Sequence, residues 1–228
     1  MITVVTSITG GKDGLIDDQV KGNAEFYAYL DRPFSSNTWS IGKAFDRFHD
    51  ARRNSRAHKI LIHEYHDTEY SIWIDGNIKL LKSPEEIIEK YLKDTDIAVF
   101  KHPNRDCIYD EAIVCAERGL EKKDELVDQC VTYNLRGYAP HKGLAECGII
   151  MRRHTPEVRA LNNEWWAQYT RYSKRDQVSF MYAVDAVGIR VNLIKEYFLI
   201  TKGKKERYIK TDGCFEIFPH IIPNTPGT

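Results

Sequence analysis

The chain has no charge of either sign to spare: 33 lysines and arginines meet 33 aspartates and glutamates over 228 residues. Proteins whose main partner is nucleic acid ordinarily carry a clear basic excess, so that class is set aside. No apolar stretch approaches the roughly 18 residues needed to span a bilayer. Five cysteines (Cys107, Cys115, Cys130, Cys147 and Cys214) make an odd count without a C-x-x-C pair. That indicates neither a disulfide framework nor a zinc knuckle, and reduced thiols are the simplest account. Met1-Ile2-Thr3-Val4-Val5 enters a strand at once, without the basic segment of a secretory leader. The early glycines, Thr9-Gly10-Gly11-Lys12-Asp13-Gly14, fit neither G-x-G-x-x-G nor G-x-x-x-x-G-K-[ST], so neither dinucleotide nor P-loop binding is supported. These absences leave a globular protein expected in the cytoplasm.

What is present is an alternation of strands and helices. Ile2 to Ile8, Glu25 to Leu30, Tyr70 to Ile74, Asp96 to Phe100, Glu146 to Met151 and Asn192 to Ile194 read as strands. Lys43 to Asn54 reads as a helix, with Ala44, Phe45, Phe48 and Ala51 close to one face, and Lys59 to Ile62 is either strand or a helix end. Ser83-Pro84-Glu85-Glu86 has the cap, the first-turn proline and the third-position glutamate of a helix start. Further helices are expected within Asp106–Arg118 and Lys123–Arg136, after Thr155-Pro156-Glu157, and over Asp176–Val187. Strands and helices in alternation indicate a three-layer α/β/α fold around a mixed central sheet. One domain is expected over residues 1–222, with 223–228 a fraying tail.

The most informative segment is Tyr70-Ser71-Ile72-Trp73-Ile74-Asp75-Gly76-Asn77, a buried strand that ends in a carboxylate, a glycine and an amide. Ligands of open α/β sheets collect outside the carboxyl ends of the strands, so Asp75 should face a crevice. An aspartate and an asparagine two apart offer hard oxygen ligands to a divalent cation on a diphosphate. Upstream lie Arg52, Arg53, Arg56, His58 and Lys59, which either grip phosphate or form a solvated helix face. Lys101-His102-Pro103-Asn104-Arg105-Asp106 follows another strand; it either neutralises a leaving phosphate or is a polar loop in which Asp106 caps the next helix. Asp176 either caps its helix or orients or deprotonates a hydroxyl. Gly143-Leu144-Ala145-Glu146-Cys147-Gly148 suits the close approach of a sugar or a tight turn. His220 is either a metal ligand or a surface histidine. Trp165 and Trp166 point roughly 100° apart on their helix, one into the core and the other toward an acceptor surface or half-buried.

In order along the chain these segments, together with Asn163-Glu164-Trp165-Trp166 and Tyr172-Ser173-Lys174-Arg175-Asp176-Gln177, resemble the nucleotide-sugar glycosyltransferases of the GT-A fold. More narrowly they resemble the glycosyltransferase-like family known as domain of unknown function 616. The resemblance implies a nucleoside diphosphate sugar donor, a glycan, lipid-linked or protein hydroxyl acceptor, and Mn²⁺ or Mg²⁺ held by Asp75, Asn77 and His220. Asn77 stands where many relatives have a second aspartate, which weakens the case for strict metal dependence. Thr6, Ser7 and Asp31 are expected near the nucleotide, Arg56, Lys59 and Arg105 near the departing diphosphate, and Asp176 and Gln177 near the donor sugar. Two other readings stand beside transfer of a sugar: a nucleotidyltransferase and a non-catalytic nucleotide-sugar or glycan-binding module.

Overall fold

The computed structural model describes residues 1–195, 199–200 and 213–220. The expected fraying of 223–228 lies outside them. In chain order the elements are β1 (Ile2–Ile8), β2 (Glu25–Leu30), β3 (Ser40–Lys43), α1 (Ala51–Ile60), α2 (Ile62–Tyr65), β4 (Tyr70–Ile74), β5 (Ile78–Leu80), α3 (Pro84–Tyr91) and β6 (Ile97–Lys101). They continue with α4 (Ile108–Glu117), α5 (Lys123–Leu135), β7 (Ala145–Arg153), α6 (Pro156–Arg171), α7 (Asp176–Val187), β8 (Asn192–Ile194), β9 (Leu199–Ile200) and β10 (Phe215–Ile217).

Seven strands make the central sheet in the order β3-β2-β1-β4-β7-β6-β8, and three more, β5-β10-β9, make a small second sheet. Six of the seven run parallel; β7 alone is antiparallel to both its neighbours. One face of the sheet buries Val4, Phe26, Ile72 and Met151 against α3 and the small sheet, through Ile87, Tyr91 and Phe215. The other buries Val5, Trp73, Val99 and Ile150 against the helices, through Ile60, Trp165 and Phe180. The alternation of Val4 and Val5, or Ile72 and Trp73, between the two faces is the two-residue period of a strand apolar on both sides. The result is the three-layer α/β architecture expected, consistent with a GT-A-like Rossmann-type fold.

The reversal of β7 decides where the site forms. In a parallel sheet every carboxyl end lies at one edge; because β7 runs the other way, its first residues reach that same edge. Its pairing with β6 jumps from Val99↔Ile150 to Phe100↔Glu146, so Cys147, Gly148 and Ile149 bulge between them. Bulges re-aim side chains and gather near functional sites. Here the bulge brings Glu146 to the edge where β4 ends.

Of the helix expected over Lys43–Asn54, only residues 51–54 are helical, as the first turn of α1. Lys43 closes edge strand β3, and α1 starts only at Ala51 because the Asp50 side chain accepts from the Arg53 amide at 3.1 Å. Ahead of it, the Asn54 side chain exchanges two hydrogen bonds with the Phe48 backbone, and the Phe45 amide donates to His58 Nε2 at 2.9 Å. These side-chain bonds offer the backbone an alternative to a helix. The Ser83 capping box forms as read, and Lys59–Ile60 ends α1.

His58 is 2 % exposed and stacks on Tyr29 at 3.8 Å, and its Nε2 must stay an acceptor for the Phe45 amide. Burial pushes its pKa down to about 3. A histidine depressed in the native state contributes stability that is present above its unfolded pKa and lost as the pH falls below it. Between pH 6.5 and 5 the wild type should therefore lose about 2 kcal/mol more than His58→Asn, at about 1.4 kcal/mol per unit. Urea denaturation of both proteins across that range checks it; parallel curves would contradict it.

Candidate active site

A cleft of about 580 Å³ opens at the carboxyl edge of the sheet. The β1 loop, one face of α1, the end of β4, the start of β7 and the start of α7 meet in its wall, with His220 from the C-terminal segment. Arg52, Arg56 and Lys59 repeat at four and three residues, so they share one face of α1 and all reach the cleft. The register Val5↔Trp73 sets Ser7 beside Asp75, both of them in the wall.

The floor is an ion-pair network. Lys59, 1 % exposed, places Nζ 2.6 Å from Asp176 Oδ2 and 3.7 Å from Asp75 Oδ1. Arg56 Nε lies 2.9 Å from the same Asp176 oxygen. Trp73 Nε1 donates to Asp75 Oδ1 at 2.8 Å and fixes that carboxylate's orientation. Burial works against the Asp176 carboxylate, but Lys59 and Arg56 overcome it and hold its pKa well below the usual carboxylate range. Burial likewise opposes the charge on Arg56, and Asp176 and Asp75 outweigh it. Asp176 does not cap α7: it is the first residue of that helix, and its side chain faces the two cations.

Glu146 differs from its neighbours. Its Oε2 accepts from Gln177 Nε2 at 2.7 Å, and burial, followed by the nearby Asp75 charge, pushes its pKa up to about 7. A carboxylate poised near neutrality in a cleft is suited to proton transfer, whereas one held as low as Asp176 is a weak base. Above the floor is a cationic rim. Burial and then Arg52 and Arg56 lower the pKa of Lys12; burial and then Arg56 and Arg175 lower that of Arg52. Lys12 and Arg52 are thus destabilised by their positive neighbours at the opening, which favours a bound anion.

Asp75, Arg56, Lys59, Asp176, Gln177 and His220 of the sequence reading come together here. The others do not line the cleft. Asp31 accepts from the Gly10 amide at 2.5 Å and fastens the glycine loop from behind. Thr6, 1 % exposed, points into the sheet interior, while its neighbour Ser7 faces the cleft. Arg105 pairs with Glu111 at 2.6 Å and reaches the site only through the 3.9 Å contact between Glu111 and Arg175. Asn77 donates to the Phe218 carbonyl at 2.7 Å and its own carbonyl accepts from the Phe218 amide at 2.8 Å. That clasp brings His220 to the cleft, where Nδ1 lies 2.9 Å from Asp13. A Cβ at Gly76 would lie 2.6 Å from Ile8 Cδ1, so the close approach this glycine permits is to the Ile8 side chain of β1. Trp165 is fully buried, and Trp166 packs edge-on against Phe45 and Phe48.

As donors for Mn²⁺ or Mg²⁺, the carboxylates of Asp75 and Asp13 and the His220 imidazole are the right chemistry for a divalent cation. Asn77 fits less well: its Nδ2 is tied to the Phe218 carbonyl, and the residue is not part of the cleft wall. The remaining Asp75 oxygen, Oδ2, is on the side toward Gly148.

Comparison with known proteins bears on what such a cleft does. A family model for the TOD1/MUCI70 glycosyltransferase-like domain matches residues 37–207, about three quarters of the chain. The chain belongs to that family. It is 28% identical over 194 residues to the probable hexosyltransferase MUCI70 of Arabidopsis thaliana, covering 79% of this chain and 33% of the relative. It is 25% identical over 165 residues to the alkaline ceramidase TOD1 of the same plant, covering 67% of this chain and 36% of the relative. The chain thus spans about a third of the length of these curated relatives. The family match begins at residue 37 and so includes Asp75, Glu146 and Asp176 but not the β1 loop.

The sequence reading gives no role to Lys12, Asp13 or Arg175, and it marks the segment around Glu146 only as room for a sugar or a tight turn. Lys12 and Asp13 carry the same signal as Asp75, a polar loop at the carboxyl end of a strand. The role of Glu146 is not announced by its segment, because its place depends on β7 running backwards.

Proposed function

We propose that this glycosyltransferase-like domain transfers a sugar from a nucleoside diphosphate sugar to a hydroxyl acceptor. The observation that carries the reading is the cationic rim of Lys12, Arg52, Arg56 and Arg175 set around Asp75 at the carboxyl edge of the sheet. A diphosphate relieves the repulsion felt by Lys12 and Arg52, and its charge rises as it departs, so the same side chains stabilise the leaving group. A Mn²⁺ or Mg²⁺ ion held by Asp75, with His220 and Asp13 beside it, would add positive charge to the diphosphate. Asp176 acts through others: it holds Lys59 and Arg56 in place. The acceptor oxygen bonds to the anomeric carbon, the bond from that carbon to the diphosphate breaks, and the acceptor proton passes to Glu146, which Gln177 orients.

The test is a panel of nucleotide sugars, with and without Mn²⁺, scored for nucleoside diphosphate release. Release with at least one donor supports the reading. Release of pyrophosphate instead would make the protein a nucleotidyltransferase. Release of fatty acid from ceramide, with no nucleoside diphosphate from any donor, would overturn sugar transfer.

A further inference from the structure

Away from the cleft, one ligating atom each from Cys107, Asp110 and His141 lies within 4.8 Å of the other two. Cys107 is the buried N-cap of α4, and Asp110 and His141 are exposed. We propose that these three residues bind a borderline-soft divalent transition metal, Zn²⁺ foremost, at a site separate from the sugar-transfer cleft.

The ligand chemistry selects the metal. Thiolate and imidazole favour Zn²⁺ over Mg²⁺ or Ca²⁺, and three protein ligands with one place open to solvent is a common zinc arrangement. The Cys107 side chain makes no hydrogen bond to the α4 amides at the helix end it caps. His141 has the support that metal-bound histidines ordinarily have. Asp106 Oδ1 lies 2.8 Å from its Nδ1, so an Nδ1–H donating to that carboxylate leaves the Nε2 lone pair for the ion. The loop is built to present the ring: the Gly143 amide donates to the Asp106 carbonyl at 2.9 Å, and Tyr109 Oη donates to the Tyr138 carbonyl at 2.6 Å. His141 is also the one non-glycine with positive φ among the described residues, at 56°. Such strain persists where the surroundings enforce it and gathers at ligand clamps. The spacing of the cysteines gives no sign of this site, because its histidine lies 34 residues downstream on another loop.

Cobalt is the probe. The purified chain, stripped with chelator, is titrated with Co²⁺ and then with Zn²⁺. One equivalent of Co²⁺ should produce a sulfur-to-cobalt charge-transfer band in the near ultraviolet, and Zn²⁺ should abolish it by displacement. Cys107→Ser should remove the band. His141→Gly, which suits the positive φ and so preserves the loop, should weaken binding at least about tenfold, and Asp106→Asn about tenfold, the usual cost of a lost outer carboxylate. Asp75→Ala should leave the band and the affinity unchanged, so failure of the sugar-transfer reading and failure of this one are separable. Absence of the band, its survival in Cys107→Ser, binding undiminished in His141→Gly, or loss of the band in Asp75→Ala would each overturn the proposal.

Discussion

Asp75→Ala should abolish nucleoside diphosphate release while the protein stays folded. The side chain is partly exposed in the cleft, accepts from Trp73 Nε1 at 2.8 Å and sits 3.7 Å from Lys59, so its removal leaves the core intact. What disappears is the one carboxylate at the end of β4 that could hold a cation against the diphosphate. Glu146→Gln separates binding from proton transfer. Gln177 retains a hydrogen-bonding partner, the diphosphate contacts are untouched, and loss of a general base costs typically 10²–10⁴-fold in rate. Wild-type turnover should rise as the pH passes upward through about 7, where Glu146 becomes a carboxylate, and the residual activity of Glu146→Gln should lack that step. Circular dichroism and nucleotide binding accompany the rates. Unchanged turnover in Asp75→Ala would remove the strand-end carboxylate from the account.

Asp176→Asn should be the most destabilising conservative change in the site. Asp176 is 5 % exposed and is the closest anion to both Lys59 and Arg56. Breaking a buried pair by removing one partner leaves uncompensated charge and costs about 3–5 kcal/mol. The pH dependence identifies the cause. The folded pKa of Asp176 is depressed, so its contribution is fully present above the unfolded carboxylate pKa and fades as the pH falls below it. The wild-type advantage over Asp176→Asn in chemical denaturation should therefore be constant near neutrality and shrink in acid. Equal stabilities at pH 7 would show that the network contributes nothing to the fold.

The segments whose structure is set locally were legible from the sequence. Ile2–Ile8 and Tyr70–Ile74 are β-branched and aromatic runs without a breaker, and both form with those bounds. Ser83-Pro84 and Thr155-Pro156 announce their helices because the cap, proline and hydrophobic period agree. Residues 43–54 misled because the apolar spacing was real, yet Phe45 and Phe48 serve a loop held by Asn54 and His58 and packed on Trp166. The site follows the same division. Asp75 was readable because the strand and its end are contiguous; Arg52, Arg56 and Lys59 were readable only as a local cluster, because the helix that sets them on one face runs from Ala51 to Ile60 and not over 43–54. Glu146 needed the direction of β7, which no local pattern encodes. Asn77 is the instructive case: its position suggests a ligand, and what the sequence does not show is that its Nδ2 clasps Phe218, which only the return of the chain 141 residues later supplies.

The central claim is that the cleft at the end of β4 is a nucleoside diphosphate site. A crystal structure of the protein soaked with a nucleoside diphosphate and Mn²⁺ tests it most directly. The diphosphate should lie between Asp75 and the side chains of Lys12, Arg52 and Arg56, with the metal on Asp75 and near His220. A nucleotide bound elsewhere, or a cleft that stays empty at saturating nucleotide while turnover persists in solution, would contradict it.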